Sequence, residues 1–176
     1  RLYYDIRRSV LSDSAARDGT SMRRQLMPAN ASWVESIASF VDDKPLEQMP
    51  LAEFNEGFTF FAETLTSVFI SANGALQTRG NGARCSDGST NFCPLSMSNG
   101  VIAPYNADLA PNAASDAKVS FARNAERAVV LWERIPFYMS STMPEVFASQ
   151  MRGVKLSFAV SLLRSSNGIT FTYFNS

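Results

Sequence analysis

The chain contains no histidine. That removes the commonest general base at neutral pH and the commonest nitrogen ligand for metals, so Ser-His and Cys-His nucleophilic schemes are excluded. Cysteine is nearly as scarce. Cys85 and Cys93 are the only two, with seven residues between them and no second ligand pair, which leaves a zinc site without spacing or partners. Neither sign of charge is in excess, 16 Lys and Arg against 16 Asp and Glu. No net field therefore draws the chain to nucleic acid or to an anionic membrane, and nucleic acid is not expected as a partner. No apolar run approaches the ~20 residues that span a bilayer, and no signal peptide is visible. Neither a G-x-G-x-x-G nor a P-loop sequence occurs, and Gly80-Asn81-Gly82, with no helix pattern after it, reads as a flexible turn.

What is present is a core. A hydrophobic content of 45% with thirteen Phe, in 176 residues, suits a single globular head. Residues 1–26 carry no Gly or Pro before Gly19, and Leu2, Ile6 and Val10 recur at a spacing of four with arginines on the flanks, which predicts a long helix. Because Arg1 follows no Met and Tyr3 and Tyr4 resemble the edge of a membrane helix, a more apolar segment is expected upstream. Arg7, Arg8, Arg17, Arg23 and Arg24 read as a solvated face of that helix. Ser32-Trp33-Val34-Glu35 has the form of a capping box, and an apolar stripe from Trp33 to Val41 predicts a second helix. Leu51, Phe54, Phe58, Phe61 and Leu65 predict a third, with Pro50 in its first turn.

From Thr66 the period changes to two. Val68–Ala72 and Ala75–Thr78 around Asn73-Gly74 predict a hairpin with a two-residue type I′ turn. Residues 79–117 hold most of the Gly, Asn, Ser and Pro and read as a long surface loop. Cys85 and Cys93 lie in it. A local disulfide is the preferred state, placing the domain in the periplasm or outside the cell, with free cytosolic thiols as the alternative. Ala128–Ile135 reads as a buried strand, and Glu145–Met151 as one or two helical turns. Val154–Leu162 and Ile169–Tyr173, turning at Asn167-Gly168, predict a second hairpin with Leu162 opposite Tyr173, one face apolar and the other solvated. The expected fold class is α+β: a long N-terminal stalk helix over 1–26, then a head over 27–176 with helices packed on one side of an antiparallel sheet.

No catalytic residue, cofactor or metal ligand is assigned. Asp42-Asp43 and the Glu53/Glu56 pair read as a helix end and a polar helix face. Asp87, Asp108 and Asp116 do not fall in the alternating pattern of a calcium loop. Phe54, Phe58 and Phe61 read as core. An enzyme is not expected.

The layout of an interrupted N-terminal helix, a Cys-containing loop and a sheet-forming head resembles the TadE/TadF-like minor pilins of the bacterial tight adherence pilus. The similarity lies in Arg1-Leu2-Tyr3-Tyr4, in Ser14-Ala15-Ala16-Arg17-Asp18-Gly19, and in the series Val129–Phe137, Met143-Pro144, Val154–Arg164; Phe92-Cys93-Pro94-Leu95 is similar to the loop of some members. The resemblance implies an inner-membrane anchor with the head in the periplasm or in an extracellular pilus. The implied partners are other pilin subunits and the assembly machinery, and the implied role is assembly, priming or capping of the filament. Ile6, Val10 and Leu11 would then be helix contacts. The competing expectation is an extracellular ligand-binding domain of a membrane sensor, similar to Cache or PAS-like modules.

Overall fold

The computed structural model describes residues 6–11, 19–35, 47–54, 57–78, 100–105, 107–139, 141 and 143–174. The centre of the molecule is a run of four antiparallel strands: β9 (Lys118–Arg123), β10 (Arg127–Pro136), β11 (Lys155–Leu163) and β12 (Gly168–Phe174). Two further strands complete this sheet at its edges. β1 (Ile6–Leu11) runs parallel to β12, with Ile6 opposite Ile169 and Leu11 opposite Phe174. At the other edge, Val34 and Glu35 form β2 against Phe121 and Ser120. The order is β1-β12-β11-β10-β9-β2.

A second sheet is built from β3 (Glu47–Pro50), β6 (Ser67–Ile70), β7 (Leu76–Gln77) and β8 (Val101–Ile102), in the order β3-β6-β7-β8. β4 (Phe58–Phe60) and β5 (Glu63–Leu65) form a separate hairpin. Alternation then dictates the core. Val130 and Trp132 of β10 and Phe158, Val160 and Leu162 of β11 point to one side, where they meet Met49, Val68, Ile70 and Leu76 of the second sheet and Phe54 and Phe58 before and within β4. Trp132 stacks on Phe158 at 5.1 Å and donates its indole N–H to the Ser71 carbonyl at 3.0 Å, so its one polar atom is satisfied within the core.

The expected α+β class is overturned, because the chain is mostly β-sheet and has only two short α-helices among the described residues, α1 (Gly19–Leu26) and α2 (Glu145–Met151). No long N-terminal helix forms, since Ile6–Leu11 is a strand. A spacing of four between apolar residues is also a multiple of the strand period of two, so the Ile6/Val10 spacing fits either element, and both residues are β-branched. The second helix is replaced at its start by β2, where Val34 completes the edge of β9; the rest of that stretch, 36–46, lies outside the described residues.

The third helix is replaced by the end of β3, a turn and the β4–β5 hairpin. Gly57, Phe61 and Ala62 take positive φ values of 74°, 46° and 64°, which no α-helix accommodates. Phe61 and Ala62 are the two-residue turn between Phe60 and Glu63, left-handed at both positions as a type I′ turn requires.

The β6–β7 hairpin forms with Ile70 opposite Leu76, but Ser71 donates its N–H to the Ala75 carbonyl, so the loop is Ala72-Asn73-Gly74, three residues rather than two. Gly74 has φ of 78°, and a Cβ there would lie 2.1 Å from the Tyr105 carbonyl oxygen, so this position admits only glycine. The β11–β12 hairpin also forms, with a longer turn, Arg164–Asn167, that puts Leu162 opposite Ile169. The change in register is an even number of residues, so each side chain keeps the face expected of it.

The other face of that hairpin is covered, contrary to the expectation of a solvated surface. α1 lies over it, and Met22 and Leu26, four residues apart, pack on Val129, Leu131, Ala159 and Phe174, with Trp33 at the margin. β1, α1 and β2 thus lie at one edge of the central sheet, over its second face and at the other edge, respectively.

Candidate functional site

Ile6, Val10 and Leu11 all lie in β1, an edge strand of the larger sheet. Cys85 and Cys93, with the disulfide expected between them, lie outside the described residues, as does Asp87.

The titratable side chains can be followed one by one. Arg23 of α1 reaches the Glu133 carboxylate at 2.6 Å and donates to Ser120 Oγ at 2.9 Å, on the face of the sheet that α1 covers. Glu133 is buried there, so the pair neutralises a charge that could not stand alone. Arg127 donates to Ser161 Oγ at 2.9 Å on the same face, and burial lowers its guanidinium pKa. Arg123 holds Glu53 at 2.6 Å, and this hydrogen bond keeps the Glu53 carboxyl below the usual range.

At the far end of β10 the ladder slips between Trp132 and Ile135. Arg134, at φ of 52°, turns outward to Asp116 at 3.2 Å. Lys155 joins the same carboxylate at 2.6 Å, and its hydrogen bond holds Asp116 below the usual carboxylate range. Carboxyls held ionised by cations are poorly suited to act as general acids near neutral pH. Among the described residues, no three His, Cys, Asp or Glu side chains converge as a metal cage would require, and no helix is long and apolar enough to cross a membrane.

The distinctive surface is the connection between β10 and β11. After Pro136 the chain is pinned by a bridge between Phe137 and Leu109 and by the Tyr138 N–H donating to the Asp108 carbonyl. Phe137 turns inward, edge-on to Tyr105 at 6.3 Å, while Tyr138 and Met139 face out. Pro144 then opens α2, accepting at its carbonyl from the N–H groups of Phe147 and Ala148, and Gly153 at φ of 82° releases the chain into β11.

Only Ala148 of α2 is buried. Val146 is 67% exposed and Phe147 57%, and Val154 stands in the open at the entry to β11. Helix geometry explains why: adjacent residues project about 100° apart, so Val146 and Phe147 cannot both share the side on which Ala148 docks. Five of the seven large hydrophobic side chains exposed among the described residues thus lie on one excursion whose two ends are clamped by the pairing of Pro136 with Lys155.

A second protrusion stands at the other end of β11. Phe61 is 73% exposed at the β4–β5 turn, and that hairpin is tied to the β11–β12 turn through Asn167, so about 30 Å of nine-residue strand separates the two apolar points. The sequence showed α2 as helical turns but gave no reason to put its apolar residues outside. The available signal was the adjacency of Val146 and Phe147, where a helix buried on one stripe would space them by three or four.

No protein-family model, no curated protein and no solved structure matches the chain.

Proposed function

We propose that this chain is a non-catalytic subunit that acts by docking to other proteins and, on the resemblance described above, a minor-pilin-like component of tight adherence filaments with its domain in the periplasm or in the filament itself. What supports the reading is the β10–β11 connection, where large apolar side chains stand in solvent between two paired strands. Soluble domains seldom keep such residues together in the open without a partner for them. The strand, the Met143-Pro144 step and the following strand that carry the C-terminal part of the resemblance are this same region. A stalk helix has no part in the proposal.

The test is a chromosomal F147D replacement in the bacterium that carries the gene, with protein level checked by immunoblot and surface filaments counted by electron microscopy. The expected result is a clear loss of filaments at unchanged protein level. Normal filament numbers would overturn the proposal. If a response to a small ligand were lost instead, the extracellular sensor would be the better description.

A further inference from the structure

The charges that flank the exposed apolar surface say what kind of partner it fits. Glu145 opens α2 and Arg152 follows its end; they are seven residues apart, two helical turns, and so stand on one flank. They already face each other along the helix at 3.3 Å, but with side chains 78% and 70% exposed that contact is screened by solvent and contributes little. Phe147 lies on the opposite flank and Val146 between the two.

A helix with an acid at one end and a base at the other end of the same flank is complementary to itself when turned antiparallel. A two-fold axis perpendicular to the helix pair carries Glu145 to the Arg152 of a second copy, and Arg152 to its Glu145, while Phe147 meets Phe147 across the other flank. Tyr138, Met139 and Val154, on the same connection between β10 and β11, are exposed as well. Nearby charge does not oppose close approach, because Asp116 is matched by Lys155 and Arg134.

We infer that α2 and the adjoining end of the β10–β11 hairpin form a two-fold interface between two copies of this chain. The inference rests on the docking function proposed above and specifies its partner.

Sedimentation equilibrium on the full chain tests it. A monomer–dimer equilibrium is expected, with a dissociation constant on the order of tens of micromolar for an interface this small. F147D should weaken it about tenfold or more, because it puts two like charges where two aromatic rings would meet across the axis. E145R and R152E should each weaken it, and the double reversal E145R/R152E should restore it to within about twofold of the original, because the reversed charges again oppose each other across the axis. All three positions are exposed, so far-UV circular dichroism and Tm should stay unchanged. Should F147D alter the fold, F147S is the variant to read.

A chain that stays monomeric to about 1 mM, open-ended polymers in place of dimers, or a double reversal that fails to restore association would each overturn the inference. A monomeric chain whose F147D variant still loses filaments would overturn the second copy as partner and leave the docking function standing. A dimer broken by F147D while filaments remain normal would support the interface and remove the filament role.

Discussion

Asn167 and Thr59, 108 residues apart, bond to each other as two strand neighbours would. The Asn167 side-chain Oδ1 accepts from the Thr59 N–H at 2.9 Å, and its Nδ2 donates to the Thr59 carbonyl at 2.6 Å. Asn167 also has φ of 49°, a left-handed conformation that asparagine tolerates better than most residues. One residue thus closes the β11–β12 turn and docks the β4–β5 hairpin. N167G keeps the backbone easy and loses the two amide hydrogen bonds, and should cost about 2 kcal/mol. N167A adds backbone strain and should cost about 3 kcal/mol. Urea denaturation of both variants measures the difference.

The Arg23–Glu133 pair should behave as a buried ion pair. R23M strands the Glu133 carboxylate under α1 and should destabilise the protein by about 3 kcal/mol, whereas R23M/E133L should return close to the original stability. Equal loss in the single and double variants would show that the cost comes from losing Arg23 itself, its bond to Ser120 included, and not from a stranded Glu133 carboxylate.

The β4–β5 turn offers a gain. Phe61 and Ala62 occupy left-handed positions where asparagine and glycine are favoured, so F61N/A62G should stabilise the fold by about 1–2 kcal/mol, seen as a higher midpoint in the same urea titration. The gain is net of the edge-on Phe60–Phe61 ring contact at 4.6 Å, which the variant gives up.

Acid should weaken the molecule in a defined direction. Asp116 and Glu53 are both held below the ordinary carboxylate pKa by their hydrogen-bonded Lys155 and Arg123. The stability they contribute is therefore fully present above the unfolded-state value near 4 and is lost as the pH falls from there through the lower folded-state values. D116N should melt below the original protein at pH 7, the gap should close at acid pH, and salt should narrow it, since Asp116 is solvent-screened. Thermal melts from pH 7 to pH 2 at two ionic strengths check all three.

The strands with a clean period of two were readable in advance. β11 and β12 could be placed because their apolar residues alternate, β10 from the unbroken apolar run at the start of Ala128–Ile135, and the glycine at Gly74 marked its turn. The N-terminal third was less readable. Its apolar spacing served helix and strand alike, and Phe61-Ala62 makes a left-handed turn without the Asn or Gly that would announce one. The burial of Ser120, Ser161 and Thr172 was hidden for a different reason: their face is polar in composition and is covered only because Arg23, Met22 and Leu26 arrive from a distant segment. The exposure of Phe147 depends likewise on Ala148 being the buried residue of α2, a tertiary fact absent from local periodicity.

The parallel pairing of β1 with β12 carries a consequence for how the protein is made. A ribosome releases the first of these strands long before the last, and Ile6 cannot find Ile169 until more than 150 further residues have emerged. Throughout synthesis the early strand has no place in the sheet, and the Gly168–Phe174 edge, once formed, stays open until the early strand returns to it. The interval between those two events is when a nascent copy is most exposed to pairing with the wrong strand.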